Sequence, residues 1–438
     1  MQLFVQDHST YANRCLAGPV SAGCRAERQC YLRNGACHPS RSGQALAFSP
    51  AVIWLVLVLL CLAEFSSHAG NPTVSPSGKV LHWNRDRVLI QIDPGRLGPL
   101  TPEQVHSMVT AAIATWEQTP HSMIDIEAGS LLEEDITLEN LFTVFDQPDD
   151  GVNPLILDSN GEIIDFILGE GASEDVLALV APFTTLSGEI TETEMILNGN
   201  TLSGDLRSRL SLRTTLLHEL GHLLGVGHSQ IYPEFAFDDD TSNNRYLPVM
   251  FPVDTNDGVS PQFLSLDDET TLASLYPSPA FATERGVIEG TVFRPWGVPV
   301  QGANVVAINR ENPMEAVFSS ISDVYIEQTG AFRFAGLPEG AYYIRIEPVD
   351  PDFVGLSGVG PFSETPLSPS FTNPVPREYF NGEAESGMID SDDPDEKVPV
   401  FVGRGEVVDG IEIISNEDNS SSVTEWKTHS TNAKRESP

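Results

Sequence analysis

The sequence predicts an α+β domain followed by an all-β sandwich. Across residues 70–280, short apolar runs alternate with two long stretches of helical periodicity. After Pro277 that periodicity stops. Short alternating strands then recur between Gly and Pro turns, the pattern of a sandwich. The third observation is local. Residues 218–228 read His-Glu-Leu-Gly-His-Leu-Leu-Gly-Val-Gly-His, at the end of the second helical stretch.

The elements follow in chain order. Residues 88–93 (Val-Leu-Ile-Gln-Ile-Asp) form a strand, ended by Gly95, Gly98 and Pro99. Thr101-Pro102-Glu103-Gln104 starts a helix, with Thr as N-cap, Pro at N1 and Gln closing a capping box. Val105, Met108, Val109, Ala112, Ile113 and Trp116 recur at helical spacing, and Pro120 ends the run. Further strands are expected at 123–128, 140–146, 176–183 and 191–198. A helix is expected over 206–224, its Leu206, Leu210, Leu216, Leu217, Leu220, Leu223 and Leu224 facing the core. The sandwich strands are 287–293, 303–308, 331–334, 342–346, 398–402 and 411–414. Residues 386–396 read as an acidic loop, and 416–438 as a disordered polar tail.

Composition narrows the partners. The chain has 62 acidic against 24 basic residues and a net charge of −38. Such a charge repels nucleic acid and anionic membrane surfaces. Residues 51–63 are apolar and uncharged. They are too short for a membrane span, which needs about 20 residues. They match the h-region of a signal peptide, with Ser67-His68-Ala69 placing cleavage after Ala69. Residues 1–69 are therefore set apart as an N-terminal extension and signal peptide, and no stable membrane span is expected after cleavage. The 47 residues upstream are Cys-rich and Arg-containing and lack a strong hydrophobic pattern, which suggests a translation start downstream of Met1. A signal-anchor with a cytoplasmic tail is the alternative. All five cysteines (Cys15, Cys24, Cys30, Cys37, Cys61) precede Ala69, so disulfides would not stabilise the mature protein. The expectation is a secreted monomer.

The 218–228 run has a chemical reading. Positions i and i+4 share a helix face, so His218 and His222 can present two imidazoles to one metal ion. Gly225 permits the turn that ends the helix and brings His228 round as a third ligand. Three protein ligands leave a position open, as in a catalytic zinc site. Glu219, next to the first ligand, is placed to act as general base.

This run resembles the signature of the metzincin zinc proteases. Pro248-Val249-Met250-Phe251-Pro252 resembles the clan's Met-turn, which makes Met250 a floor beneath the ligands. Leu264-Ser265-Leu266-Asp267-Asp268-Glu269, continuing to Leu275-Tyr276-Pro277, resembles the closing helix of the matrixin branch, and Ser229 after His228 also fits. Pro252 replaces the Tyr of astacins and serralysins. The resemblance covers about residues 80–280. It implies a twisted mixed sheet plus long helices and cleavage of protein or peptide substrates. It departs from vertebrate matrixins in three ways. No cysteine is left for a cysteine-switch latency. No His lies between His121 and His218 to hold a second zinc, so one zinc is expected. Met250 follows His228 by 22 residues, a longer connection containing Tyr232, Phe235, Phe237 and Asp238 to Asp240. In metzincins the substrate joins the sheet edge as an antiparallel strand. Leu177, Ala178, Leu179, Val180 and Ala181 are assigned that edge, since Pro182 suits an edge strand; a plain structural strand is the alternative.

Two calcium candidates are visible. Asp158, Asn160, Glu162 and Asp165 place hard oxygen ligands around Gly161. An Asx-rich hairpin turn is the alternative. Asp254-Thr-Asn256-Asp257-Gly258 is the second candidate. Residues 281–415 resemble a carboxypeptidase regulatory-like, transthyretin-type sandwich through Val300-Gln-Gly-Ala-Asn-Val, Phe332-Arg-Phe-Ala-Gly-Leu-Pro-Glu-Gly and Tyr342-Tyr-Ile-Arg-Ile.

The expected function is a secreted zinc metalloendopeptidase with Glu219 as general base. The rival is an extracellular binding or adhesion protein that works through the sandwich, with the zinc domain as scaffold. A third reading keeps the zinc hydrolase and gives it a non-peptide substrate.

Overall fold

In the computed structural model the described residues are 2–6, 72–75, 78–85, 87–145, 150–238, 240–255, 263–323, 328–349, 375–388 and 392–416. All belong to one compact unit. The five cysteines, the 51–63 segment, the cleavage site at Ala69, residues 256–258 of the second calcium candidate and the tail after Asn416 lie outside them.

The first region runs β1 (Gln2–Gln6), β2 (His82–Trp83), β3 (Val88–Ile92), α1 (Pro102–Glu117), β4 (Ile126–Leu131), β5 (Pro154–Asp158), α2 (Glu162–Leu168), β6 (Val176–Thr184), β7 (Glu189–Asn198), α3 (Leu206–Leu223), α4 (Pro233–Ala236), β8 (Val253–Asp254), α5 (Leu266–Leu275) and α6 (Phe281–Glu284). Its strands form one mixed sheet in the order β4-β3-β5-β7-β6-β1-β8, with β2 beside β7. β3, β4, β5 and β7 are parallel neighbours, and β6 runs antiparallel to β7. β1 pairs antiparallel with β6, Gln2 opposite Val180 and Leu3 opposite Leu179.

α1 starts as its sequence requires. Thr101 accepts from Gln104 N, and the Gln104 side chain accepts from Thr101 N. Val105, Val109 and Trp116 of α1 join Leu216, Leu217 and Leu220 of α3 and Ile90, Leu155, Leu157 and Leu197 of the sheet in one core. Burying such side chains stabilises by roughly 1.5–3 kcal/mol each.

The second region holds β9 (Gly286–Phe293), β10 (Asn304–Asn309), β11 (Val317–Ile321), β12 (Ala331–Leu337), β13 (Gly340–Glu347), β14 (Glu378–Tyr379), β15 (Val400–Val402) and β16 (Val407–Ile414). One sheet has the order β11-β10-β13-β14, with β15 on β13; the other has the order β12-β9-β16. Ile288, Val292, Phe332, Phe334 and Ile413 from one sheet meet Val305, Phe318, Tyr342, Ile344 and Ile346 from the other in a common core.

The segment between His228 and Met250 joins the two regions. Ile231 packs with Val306 and Val317, and Leu247 and Phe251 pack with Ile321 and Val349. Tyr232 stacks on Phe235 with ring centroids 4.6 Å apart. Asn304 Nδ2 donates to Gln230 O (3.1 Å), and Ser319 N donates to Asp267 Oδ1 (3.1 Å).

Four local expectations are corrected. Residues 140–146 contain a 3₁₀ turn, Leu141–Thr143, because Leu141 and Phe145 bury four residues apart rather than alternately. β5 was not anticipated: all five of its residues are buried, so it shows no alternation. The turn after Asp158 leads into α2, from Gly161, rather than into a hairpin. Leu206 does not face the core. It opens α3 and is 74% exposed.

Candidate metal centre

α3 carries the first two histidines. Asp205 caps its start, accepting from Ser208 N at 2.8 Å. At its end, Val226 N donates to Gly221 O (2.8 Å) and Gly225 N to His222 O (2.9 Å). This is the Schellman arrangement, with Gly225 at φ 86°. A Cβ there would also lie 2.4 Å from Leu81 O. Side chains satisfy the last carbonyls. Trp83 Nε1 donates to Leu223 O (2.8 Å), and Tyr276 Oη donates to Leu224 O (2.7 Å). The reversed chain then carries His228 to the other two.

The three imidazoles converge. His218 Nε2 lies 3.1 Å and His222 Nε2 3.0 Å from His228 Nε2. His218 Nδ1 sits 2.8 Å from Val249 O, and His222 Nδ1 sits 2.9 Å from Val226 O. A carbonyl only accepts, so both Nδ1 atoms carry the proton and both Nε2 atoms present lone pairs inward. A single proton on His228 Nε2 can satisfy one of them. A cation at the centre satisfies all three. Tetrahedral zinc, with Zn–N near 2.0–2.1 Å, would set ligand nitrogens about 3.3 Å apart, close to what is observed. Among the described residues, these histidines are the group of three or more His, Cys, Asp or Glu side chains whose ligand atoms lie within 4.8 Å of one another. The donor set therefore fits a metal ion. Nitrogen ligands suit zinc and other transition metals.

Burial dominates the electrostatics. It pushes His218 and His222 well below the usual histidine range, and the neighbouring imidazoles push further in that direction. It pushes Glu219 well above the usual carboxylate range. Glu219 is fully buried, and neither of its carboxylate oxygens has a hydrogen-bond donor.

The floor is set from outside the helix. A Cβ added to Gly221 would lie 2.3 Å from Met250 Sδ and 2.9 Å from Trp116. The methionine therefore packs against the helix turn between the two ligands. Asp268 holds that loop, accepting from Val249 N (2.9 Å) and Met250 N (3.1 Å). Ser229 N donates to Met250 O at 2.9 Å. Sequence reasoning missed the role of Asp268. The Ser265-x-x-Asp268 spacing marks a capping box, which forms, but gives no sign that the same carboxylate also holds the loop beneath His218.

The other expected site residues fall elsewhere. Leu177, Ala178, Leu179, Val180 and Ala181 lie in β6, flanked by β7 and β1. Asp158 turns inward and accepts from Ile164 N (2.9 Å). Asn160 Oδ1 accepts from Glu162 N (3.4 Å), Asp165 Oδ1 accepts from Ser173 N (2.7 Å), and Glu162 is exposed. These side chains tie down α2 and the loop after it.

No protein-family model matches the chain, and no curated protein matches it.

Proposed function

We propose that the protein is a zinc-dependent metalloendopeptidase of the metzincin type that residues 218–228 resemble, in its matrixin-like branch, secreted and acting on protein or peptide substrates. The observation that carries this reading is Glu219. A structural zinc site closes with four protein ligands and needs no base. Here three imidazoles converge, and Glu219, next to His218 in the sequence, is a fully buried carboxylate that has no donor of its own.

His218, His222 and His228 would hold the ion. When bound, zinc supplies the Lewis acidity that activates water and polarises a carbonyl at neutral pH. Glu219 takes the proton from the attacking water and delivers it to the leaving amine. The Val249 and Val226 carbonyls fix the tautomers of His218 and His222, leaving their Nε2 lone pairs free to hold the ion. Met250 and Gly221 set the depth of the site. With residues 1–69 removed at the expected cleavage site, the side of β6 that β1 covers would be open, and the substrate would add there as an antiparallel strand.

Glu219→Gln tests the mechanism. The purified variant is expected to keep its metal content and melting temperature while casein cleavage falls by about 10²–10⁴-fold. Undiminished cleavage rejects Glu219 as the base.

A further inference from the structure

The third histidine is the one that no helix holds. His218 and His222 ride on α3, whereas residues 227–230 lie in neither helix nor strand. The chain there is fixed by what it touches. Upstream, Thr73 N donates to Gly225 O (2.7 Å), and Ser229 N donates to Met250 O (2.9 Å). Downstream, the contacts come from the second region. Asn304 Nδ2, on β10, donates to Gln230 O (3.1 Å), two residues beyond His228. Ser319 Oγ, on β11, lies 3.5 Å from Gln230 N. Ile231 packs with Val306 of β10 and Val317 of β11.

The same strands reach the floor of the site. Leu247 and Phe251 flank the Met250 loop and pack with Ile321 of β11 and with Val349. Ser319 N donates to Asp267 Oδ1 (3.1 Å), and the next residue, Asp268, accepts from Val249 N and Met250 N. Val249 O is the acceptor that fixes the His218 ring. Asn304 is anchored in turn. Its Nδ2 also donates to Glu347 Oε1 (3.0 Å), and Glu347 pairs with Arg345 at 2.9 Å. Gln230 O can only accept, so its bond sets the orientation of the amide. Asn304, Gln230, Asp267 and Ser319 are 1–2% exposed, out of reach of bulk water.

We propose that the β10–β11 face of the second region positions the metal centre, with Asn304 as its principal positioning residue. This rests on reading His218, His222 and His228 as metal ligands. Removing Nδ2 takes from Gln230 O the donor that β10 supplies, and a buried carbonyl that loses its donor moves or stays unsatisfied at a cost. His228 is two residues away. Any such movement shifts the third imidazole against the two that α3 holds fixed. Supports one step behind the ligands are worth about 10–100-fold in metal affinity, short of the outright loss expected at a ligand itself. The second region is then more than an appended module. It sets how tightly the first region holds its ion.

The test uses the full-length protein, with zinc itself as the probe. Zinc affinity is measured by competition with a chromophoric chelator, well below the unfolding temperature. Cobalt(II) is then substituted, and its visible spectrum reads the ligand geometry. Asn304→Leu, close in shape but unable to donate, is expected to weaken zinc binding by about tenfold or more and to shift the cobalt spectrum. Ile413→Ala, in the buried core on β16 of the other sheet, is the control. It is expected to lower the melting temperature and leave both metal readouts unchanged. A merely structural Asn304 would make the two variants alike. If Asn304→Leu does not fold, Val306→Ala, which trims the surface against Ile231, decides by the same two readouts. A wild-type protein that takes up no zinc overturns the metal-centre reading and this inference with it. Where the wild type binds zinc, unchanged affinity and spectrum in the variant, or equal losses in Ile413→Ala, overturn this inference alone.

Discussion

The two regions concentrate buried polar atoms in opposite ways. The candidate metal centre draws three nitrogens from eleven consecutive residues, on one helix and the turn that closes it. A buried hydrogen-bonded cluster in the second region draws its atoms from Glu378 to Asn416, across a loop and the ends of two sheets. In the first, backbone geometry places the ligands and distant side chains only steady them. In the second, the carboxylates of Asp392, Glu385 and Glu378 hold the loop by accepting from Ser386 N, Ile414 N and Asn416 N. The helix site should therefore tolerate changes around it while failing sharply at its own residues. The loop should instead depend on those carboxylates for its fold.

The largest effect is expected at the ligands. His222→Ala removes one of two lone pairs fixed by the helix. The protein should lose its metal and at least about 10³-fold in hydrolysis, yet keep the circular dichroism of α3. Metal analysis and a casein assay on one preparation check this. Retained metal would mean that the three imidazoles do not form the site.

Next is the floor. Gly221→Ala forces a methyl group into Met250 and Trp116. Overpacking of this kind costs about 1–3 kcal/mol. Activity should fall with stability, because the turn between the ligands moves. A thermal melt and the casein assay together check this, and an unchanged melting temperature breaks the account of the floor.

A smaller effect is expected with pH at the sheet. Burial, offset by backbone hydrogen bonds from Gly95, Leu157 and Ile136 and reinforced by Asp135, raises Asp93 from 3.8 to about 6. The folded state holds that proton more tightly than the unfolded one. Its contribution is therefore complete below about pH 4 and is lost as pH rises toward 6. Melting temperature should fall across that window relative to Asp93→Asn, in which the dependence should flatten. Parallel curves for the two proteins would contradict the assignment.

The smallest effect is expected at Leu206. Exposed at the first turn of α3, it should accept Ser with a change under about 0.5 kcal/mol. A urea titration checks it, and a larger loss would mean that the turn is packed.

Legibility in the sequence follows the same division. The i, i+4 histidines, Gly225 and the Thr101–Gln104 box are local patterns, and the structure places each where spacing puts it. β5 was hidden because full burial erases alternation, and α2 because its Asx residues also suit a turn. The 229–249 segment read equally well as a cleft or loose loop. Its packing on β10 and β11 depends on residues some 75 or more positions away. Asp268 and the Glu378 cluster act through long-range contacts that leave no periodic trace.

The most direct test of the central claim is metal analysis of the purified full-length protein, with casein digestion of the same sample before and after 1,10-phenanthroline. The account predicts about one zinc per chain and cleavage that the chelator abolishes and added zinc restores. A metal-free protein, or cleavage indifferent to the chelator, would contradict it.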